Sequence, residues 1–375
     1  MSLYLDLTEF LTNPITTGIQ RIAGEICRYG DRNAMIPVRL NGDHFVAFPS
    51  SLIEAIGNYF RGGSHSGTEE IRHLGAIERG SRIEVSQLDT VLVPEVFLNH
   101  QRFTFFRAMP DPELRRYRFI VFDLLPLTHP EYFGPDHRYL FCAYAQIIRR
   151  ASDCGFISEY TRDIYYSRLR RTNVRGGVVL PLGCDALGDR PFQLTLNRPL
   201  NFSVLGTVEP RKNHPLILEA FEPLLRHVKG LTLSFVGKLG WIDPQFAEKV
   251  LTLASDENSG LRFIPAPGDD EIRNCFERSR ATIYVSAAEG YGLPPVESLW
   301  AGTPVIASRT IPSLERLGSA GVHYVDPLSV LNLRKAVLAF LDDAYANRKA
   351  EEAMRLNLPT WRSFTEEVMD WCKRE

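Results

Sequence analysis

Residues Ile283 to Ile306 read IYVSAAEGYGLPPVESLWAGTPVI, and this order of elements decides the fold. A β-rich apolar run, Thr282 to Val285, stops at Ser286. Gly290 and Gly292 flank Tyr291, and Pro294-Pro295 opens a helix expected over Pro295 to Trp300. Proline suits a first helical turn because its missing N–H would be unpaired there anyway. Val305 to Ala307 then reads as another strand. Strand, glycine loop, helix and strand together are one step of a parallel α/β layer. The glycines admit close approach of backbone amides to a ligand, and the helix start adds unpaired N–H groups and a positive dipole end. Gly290, Tyr291, Gly292 and Leu293 therefore read as an anion site suited to a diphosphate. Glu289 and Glu297 bracket it eight positions apart.

The alternation runs outward in both directions. Upstream, the reading expects strands Phe202–Leu205, Leu231–Val236 and Leu261–Ile264, interleaved with helices Pro215–Arg226, Pro244–Leu253 and Asp270–Arg278. Nearer the start, Ser2–Leu7, Thr90–Phe97, Phe119–Phe122, Gly155–Ile157 and Val178–Leu180 read as strands. Gly18–Tyr29, Ala143–Arg150 and Tyr160–Arg170 read as helices. Between the two series lies GDRPFQLTLNRPLN, Gly188 to Asn201, with two prolines and no helical period, the best linker candidate. The expected division is residues 1–188, 200–355 and a final segment 356–375. Two such lobes would hold a ligand in the cleft between them, at the carboxyl ends of strands.

Composition sets outer limits. The chain has 375 residues, 44% hydrophobic and 23% charged, with net charge −2, which argues against a dedicated nucleic-acid binder. No apolar run approaches the roughly 20 residues of a membrane-spanning helix. The first ten residues carry Asp6 and Glu9 without a basic start, so no secretory signal is expected. Six scattered cysteines suggest neither a disulfide framework nor a zinc site, and a reducing cytoplasm fits them best. Of 43 basic residues only seven are lysine, and the first of these is Lys212.

Lys212 lies in FSVLGTVEPRKNHPLILEAF, Phe202 to Phe221: a strand, Gly206, Thr207, the pair Arg211-Lys212, then a helix. Fixed cations after a strand suit a leaving group that builds negative charge. His214 reads as a capping or surface residue. Two segments of the first lobe complete the set: Thr17-Gly18-Ile19-Gln20-Arg21, opening a helix, and IVFDLLPLTHPEYF, Ile120 to Phe133, with Asp123 and His129.

Taken together, Glu289-x7-Glu297 within EGYGLPPVESLWAGTPVIAS resembles the signature of the family 4 retaining glycosyltransferases, which have the GT-B fold: two Rossmann-like parallel-sheet domains facing across a cleft, with a C-terminal helix crossing back to the first. The resemblance covers essentially the whole chain, is densest over 200–310, and leans toward bacterial polysaccharide mannosyltransferases. It implies that Glu289 binds donor-sugar hydroxyls and Glu297 the ribose, while Arg211 and Lys212 stabilise the departing diphosphate. Gly18, Thr207, Gly237 and the 290–293 loop would line the donor, and Trp361–Cys372 would be the returning helix. Many members carry Arg where this chain has Thr207, and many carry His where it has Phe122. Asp123 is therefore the candidate polar group near the anomeric carbon, with His129 a weaker contact to sugar.

The implied activity is transfer of a hexose from a nucleotide-diphosphate sugar, GDP-mannose being weakly preferred, to a glycan or lipid-linked acceptor with retention, in cell-surface polysaccharide synthesis. No cofactor is expected, and no metal, because no Asp-x-Asp motif stands in a nucleotide-binding context. The arginines of the 162–175 stretch would allow peripheral contact with an anionic inner membrane face. Two alternatives stay open: another GT-B enzyme such as an epimerase or phosphorylase, and a nucleotide-sugar-binding regulator without catalysis.

Overall fold

The computed structural model describes residues 2–14, 18–61, 71, 82–170, 176–191 and 195–374. Thr17, Arg171 and Arg175 lie outside the described residues. The chain divides into two compact units: Met1–Gly183 with Pro359–Glu375, and Cys184–Leu358.

The first unit is built on β1 (Leu3–Asp6), β2 (Met35–Asn41), β3 (His44–Ala47), β4 (Arg82–Ile83), β5 (Thr90–Val93), β6 (Tyr117–Val121), β7 (Cys154–Phe156) and β8 (Val178–Val179), in the order β4-β3-β2-β1-β5-β6-β7-β8. From β2 to β8 the pairing is parallel, whereas β3 pairs antiparallel with both β2 and β4. That edge is absent from the sequence reading. Gly42-Asp43 leaves only two residues between β2 and β3, a tight hairpin that reverses the chain without a crossover helix. β5 is shorter than the run Thr90–Phe97, since Pro94 cannot donate to the ladder. The expected helix Ala143–Arg150 starts earlier, at Pro135. Tyr160–Arg170 is helical over Glu159–Ile164 and then widens into π-type turns over Tyr165–Arg170.

The final helix, Trp361–Cys372, belongs to this first unit. It buries Trp361, Phe364, Val368 and Trp371 at positions three, four or three apart, one face of a 3.6-residue period. Trp371 Nε1 donates to Asp153 Oδ2 at 2.7 Å, and Thr365 Oγ1 to the carbonyl of Glu25 at 3.3 Å.

In the second unit β9 (Asn201–Leu205), β10 (Thr232–Val236), β11 (Leu261–Ile264), β12 (Ala281–Tyr284), β13 (Val305–Ala307) and β14 (Val322–Tyr324) form an all-parallel sheet, β11-β10-β9-β12-β13-β14. The strand order reverses between β9 and β12, which makes their carboxyl ends the expected ligand crevice of an open α/β sheet. β14 and the helices Val330–Ala339 and Asp343–Met354 lie beyond the last strand read from sequence. The unit begins at Cys184, ahead of the block read as a linker, because that block is tied down. Trp300 Nε1 donates to the carbonyl of Gly188 at 2.9 Å, and Arg190 stacks on Trp300 and donates to the carbonyls of Met354 and Leu356. Among the described residues no helix is long and apolar enough to cross a membrane.

Candidate active site

The carboxyl ends of β9 and β10 turn at glycines. Gly206 has φ +119°, a backbone that side chains rarely adopt, and a Cβ there would stand 2.1 Å from Lys212 Nζ. A Cβ on Gly237 would stand 2.4 Å from the Gly206 carbonyl oxygen. Past these points the two loops remain paired: Val208 N donates to Lys238 O and Gly240 N to Val208 O, both at 2.9 Å. Thr207 lies in this paired segment.

Pro210–Lys212 forms a single tight turn, closed by Asn213 at φ +57°. Across the β9–β12 crevice, Asn213 Nδ2 donates to Val285 O at 2.6 Å and Ala287 N to Arg211 O at 2.7 Å. These bonds zip the Pro210–Lys212 turn to the loop carrying Glu289. Gly292, φ +87°, caps the helix Leu293–Trp300, whose first residues include both prolines.

Arg211 bridges the crevice. Its Nη2 is 2.7 Å from Glu209 Oε1, and its Nη1 is 2.6 Å from Glu289 Oε2 and 3.1 Å from the carbonyl of Ala288. The other Glu289 oxygen accepts from Ser286 Oγ at 2.9 Å. Glu209 is only 3% exposed, and burial raises its carboxyl above the usual range against the pull of Arg211. Burial lowers the Lys212 ammonium, opposed by Glu289. Among the described residues the Lys212 ammonium makes no hydrogen bond and no ion pair, while its backbone N donates to the Glu209 carbonyl at 3.1 Å. Glu209 and Ser286 were missed from sequence; the acid two residues before Arg211 was the available signal.

His214 corrects the sequence reading. Asn213 occupies the cap position, and His214 is fully buried with its ring edge-on to Phe235 at 4.9 Å. Burial drops its pKa to about 3, so the ring is neutral. Glu297, half-buried, lines a narrow cavity of about 60 Å³ with Cys184, Gly188, Arg273, Glu277 and Trp300. Tyr291 and Gly290 are buried; the Tyr291 carbonyl accepts from Ser313 N at 2.9 Å. Leu293 is half-buried.

The remaining expected residues lie in the first unit. Gly18 opens the helix Gly18–Tyr29, and a Cβ built on it would meet no side chain or distant backbone of the described residues within 4 Å. Asp123 follows β6 and its Oδ1 accepts from Leu125 N at 3.0 Å, closing the turn that leads to His129. His129 Nδ1 is 2.9 Å from Thr128 Oγ1, and its ring stacks on Tyr132. Phe122 is buried. In the basic 162–175 stretch, Arg162 pairs with Glu159 and Asp163 and Arg170 binds carbonyls of the preceding helix end, so these two serve the local fold.

The β1–β5 end of the same unit carries a group that sequence reasoning did not find. Asp6 and Arg102, 1% and 2% exposed, form an ion pair; Arg102 also reaches Glu9 at 3.5 Å and lies over the Phe97 ring at 4.3 Å. Glu95 accepts from Phe10 N at 3.0 Å, and burial pushes its pKa up to about 8. No group of three or more His, Cys, Asp or Glu among the described residues could hold a metal ion.

Two parallel-sheet units of this kind define the GT-B fold. Anabaena HepE, solved in complex with UDP, superposes with a TM-score of 0.67 at 12% identity over 99% of both chains. WaaG, a glycosyltransferase involved in lipopolysaccharide biosynthesis, gives 0.61 at 15% over 99% of both. Within that class, residues 190–357 match the family model for glycosyl transferases group 1. The Escherichia coli serotype-specific mannosyltransferase WbdA is 32% identical over 268 residues, 66% of this chain and 32% of its own. The Salmonella typhimurium O-antigen chain mannosyltransferase RfbU is 22% identical over 58% of each chain. The chain thus resembles bacterial polysaccharide mannosyltransferases, and its match spans about a third of the WbdA length.

Proposed function

We propose that the protein transfers a hexosyl group from a nucleotide-diphosphate sugar to a glycan acceptor in bacterial surface-polysaccharide synthesis. The observation that carries this reading is the Lys212 ammonium, unpaired among the described residues at the β9–β12 crevice, within the field of the Glu289 carboxylate that Arg211 and Ser286 fix. The relatives' names support a mannosyl group and hence GDP-mannose as donor.

In the proposed reaction the bond from the sugar's anomeric carbon to the β-phosphate oxygen breaks, and its electron pair leaves on the diphosphate. The acceptor hydroxyl oxygen bonds to that carbon and its proton passes to the departing phosphate. Attack on the face the phosphate leaves gives retention. Lys212 and the amides opening the helix at Leu293 would meet the growing charge, the role a divalent cation plays elsewhere. Glu289 would hold sugar hydroxyls and Glu297 the ribose diol.

The test is nucleoside diphosphate release from GDP-mannose, UDP-glucose and related donors, with and without EDTA and a mannan acceptor. Lys212→Ala and Glu289→Ala should each lower turnover by about 100-fold or more while the fold survives. Near-normal turnover in both variants sinks the reading. EDTA-sensitive turnover that Mg²⁺ restores removes its metal-independent part.

A further inference from the structure

The two adjacent cations have opposite surroundings. Arg211 faces Glu209 at 2.7 Å on one guanidinium nitrogen and Glu289 at 2.6 Å on the other, with the Ala288 carbonyl at 3.1 Å beside it. A planar guanidinium offers donors in a rigid fork, so contacts at two ends fix its plane as well as its place. Lys212 carries the same charge but forms no ion pair among the described residues, and its ammonium stands directly over Gly206.

We propose that Glu209 is a positioning residue for Glu289, acting through Arg211, so that the diphosphate contact already proposed for Lys212 is not shared by Arg211. This rests on the glycosyltransferase reading and deepens it. Glu209 is buried, and a buried carboxylate without its partner is strongly disfavoured. Arg211 therefore cannot swing onto a phosphate without stranding Glu209. Held in place, it fixes one Glu289 oxygen while Ser286 Oγ fixes the other at 2.9 Å. Both oxygens of the sugar-facing carboxylate are then set before the donor arrives, which is what an accurately placed hydroxyl contact requires. The backbone supports the arrangement, since Ala287 N is hydrogen-bonded to Arg211 O at 2.7 Å.

The division of labour separates binding from turnover. Calorimetric titration of the full chain with GDP and with UDP reads the diphosphate contact; kcat and KM with the best donor read the sugar contact. Lys212→Ala should weaken nucleoside diphosphate binding about tenfold or more, while Arg211→Ala and Glu209→Ala change it less than about threefold and lower kcat about tenfold or more. Glu209→Ala should slow the Arg211→Ala protein no further, because residues acting as one unit are non-additive. Glu209→Gln should recover part of the lost turnover, its amide oxygen still accepting from Nη2. Arg211→Ala weakening diphosphate binding as much as Lys212→Ala overturns the assignment, as do independent, multiplying effects of Glu209→Ala and Arg211→Ala on kcat. If the alanine variants melt below assay temperature, Glu209→Gln and Arg211→Lys carry the same comparison of kcat with diphosphate affinity. Wild-type protein that binds neither diphosphate removes the glycosyltransferase reading and the assignment together, an outcome distinct from all of these.

Discussion

Glu95→Gln should stabilise the first unit, and by an amount that grows with pH. Glu95 is 2% exposed, two residues past the end of β5. Burial is the main cause of its raised pKa, with Glu9 and Asp6 adding repulsion and the Phe10 N–H and Arg102 opposing it. The carboxyl moves from 4.5 in the unfolded chain to about 8 in the fold. Between those values the folded state keeps a proton that the unfolded state has lost. Wild-type stability is then full below pH 4.5 and falls as pH rises, reaching its floor above pH 8, because the slope follows the difference in bound protons. Each pH unit in that window is worth about 1.4 kcal/mol. From pH 5.5 to 7.5 the carboxyl accordingly costs the wild type roughly 2–3 kcal/mol.

Glutamine cannot ionise, and its amide oxygen can still accept from Phe10 N, so the substitution removes the titration and keeps the bond. Urea unfolding of both proteins at pH 5.5 and 7.5, followed by circular dichroism and compared at equal slope m, measures the difference. The stability gap should widen in favour of Glu95→Gln by roughly 2–3 kcal/mol between the two pH values. A gap that stays constant with pH refutes the buried titration. A gap that closes as pH rises reverses its sign and refutes it equally.

Gly206→Ala should lower the melting temperature and weaken GDP binding together, since φ +119° and a methyl 2.1 Å from Lys212 Nζ force the ammonium aside; strain of this type costs roughly 1–3 kcal/mol, and an alanine variant unchanged in both measurements contradicts the close approach. Trp371→Phe should lose the 2.7 Å bond to Asp153 and part of a fully buried ring. A loss of about 1–3 kcal/mol is expected in urea unfolding, and unaltered stability would mean the C-terminal helix is anchored elsewhere.

The second unit was legible because each strand is a short, continuous apolar run between glycines, prolines or polar caps, which is how strands buried on both faces read. β11 and β13 were located to the residue, and β9, β10 and β12 to within one. The antiparallel edge of the first unit was not legible. β2 and β3 alternate only in part, and the decisive feature is a two-residue turn rather than an apolar run. The motifs around Arg211 and Glu289 were also visible, yet their mutual contact was not. Nothing in EPRKNH marks Glu209 or His214 as interior residues. Their burial arises when Asn213 and Ala287 join two loops 70-odd residues apart. The Asp6–Arg102 pair, 96 positions apart, has the same origin: tertiary structure decides which charges meet.

The two units also answer a question that topology leaves open. Each has a strand-order reversal, at β1–β5 and at β9–β12, and a ligand crevice is expected at either. In the first unit that position is filled from within: Asp6 and Arg102 neutralise each other out of solvent, Glu9 and Asn99 close over them, and Glu95 sits buried alongside. An incoming anion would meet three carboxyl groups and a guanidinium already committed. In the second unit the charges are arranged the other way. Two carboxylates share one guanidinium, and the neighbouring ammonium makes no hydrogen bond or ion pair among the described residues and stands over a glycine. The same fold thus uses its charges for internal closure in one unit, and in the other holds an ammonium that no described residue pairs. That asymmetry, rather than the shared α/β architecture, is what the proposed function rests on in assigning the nucleotide diphosphate to the second unit.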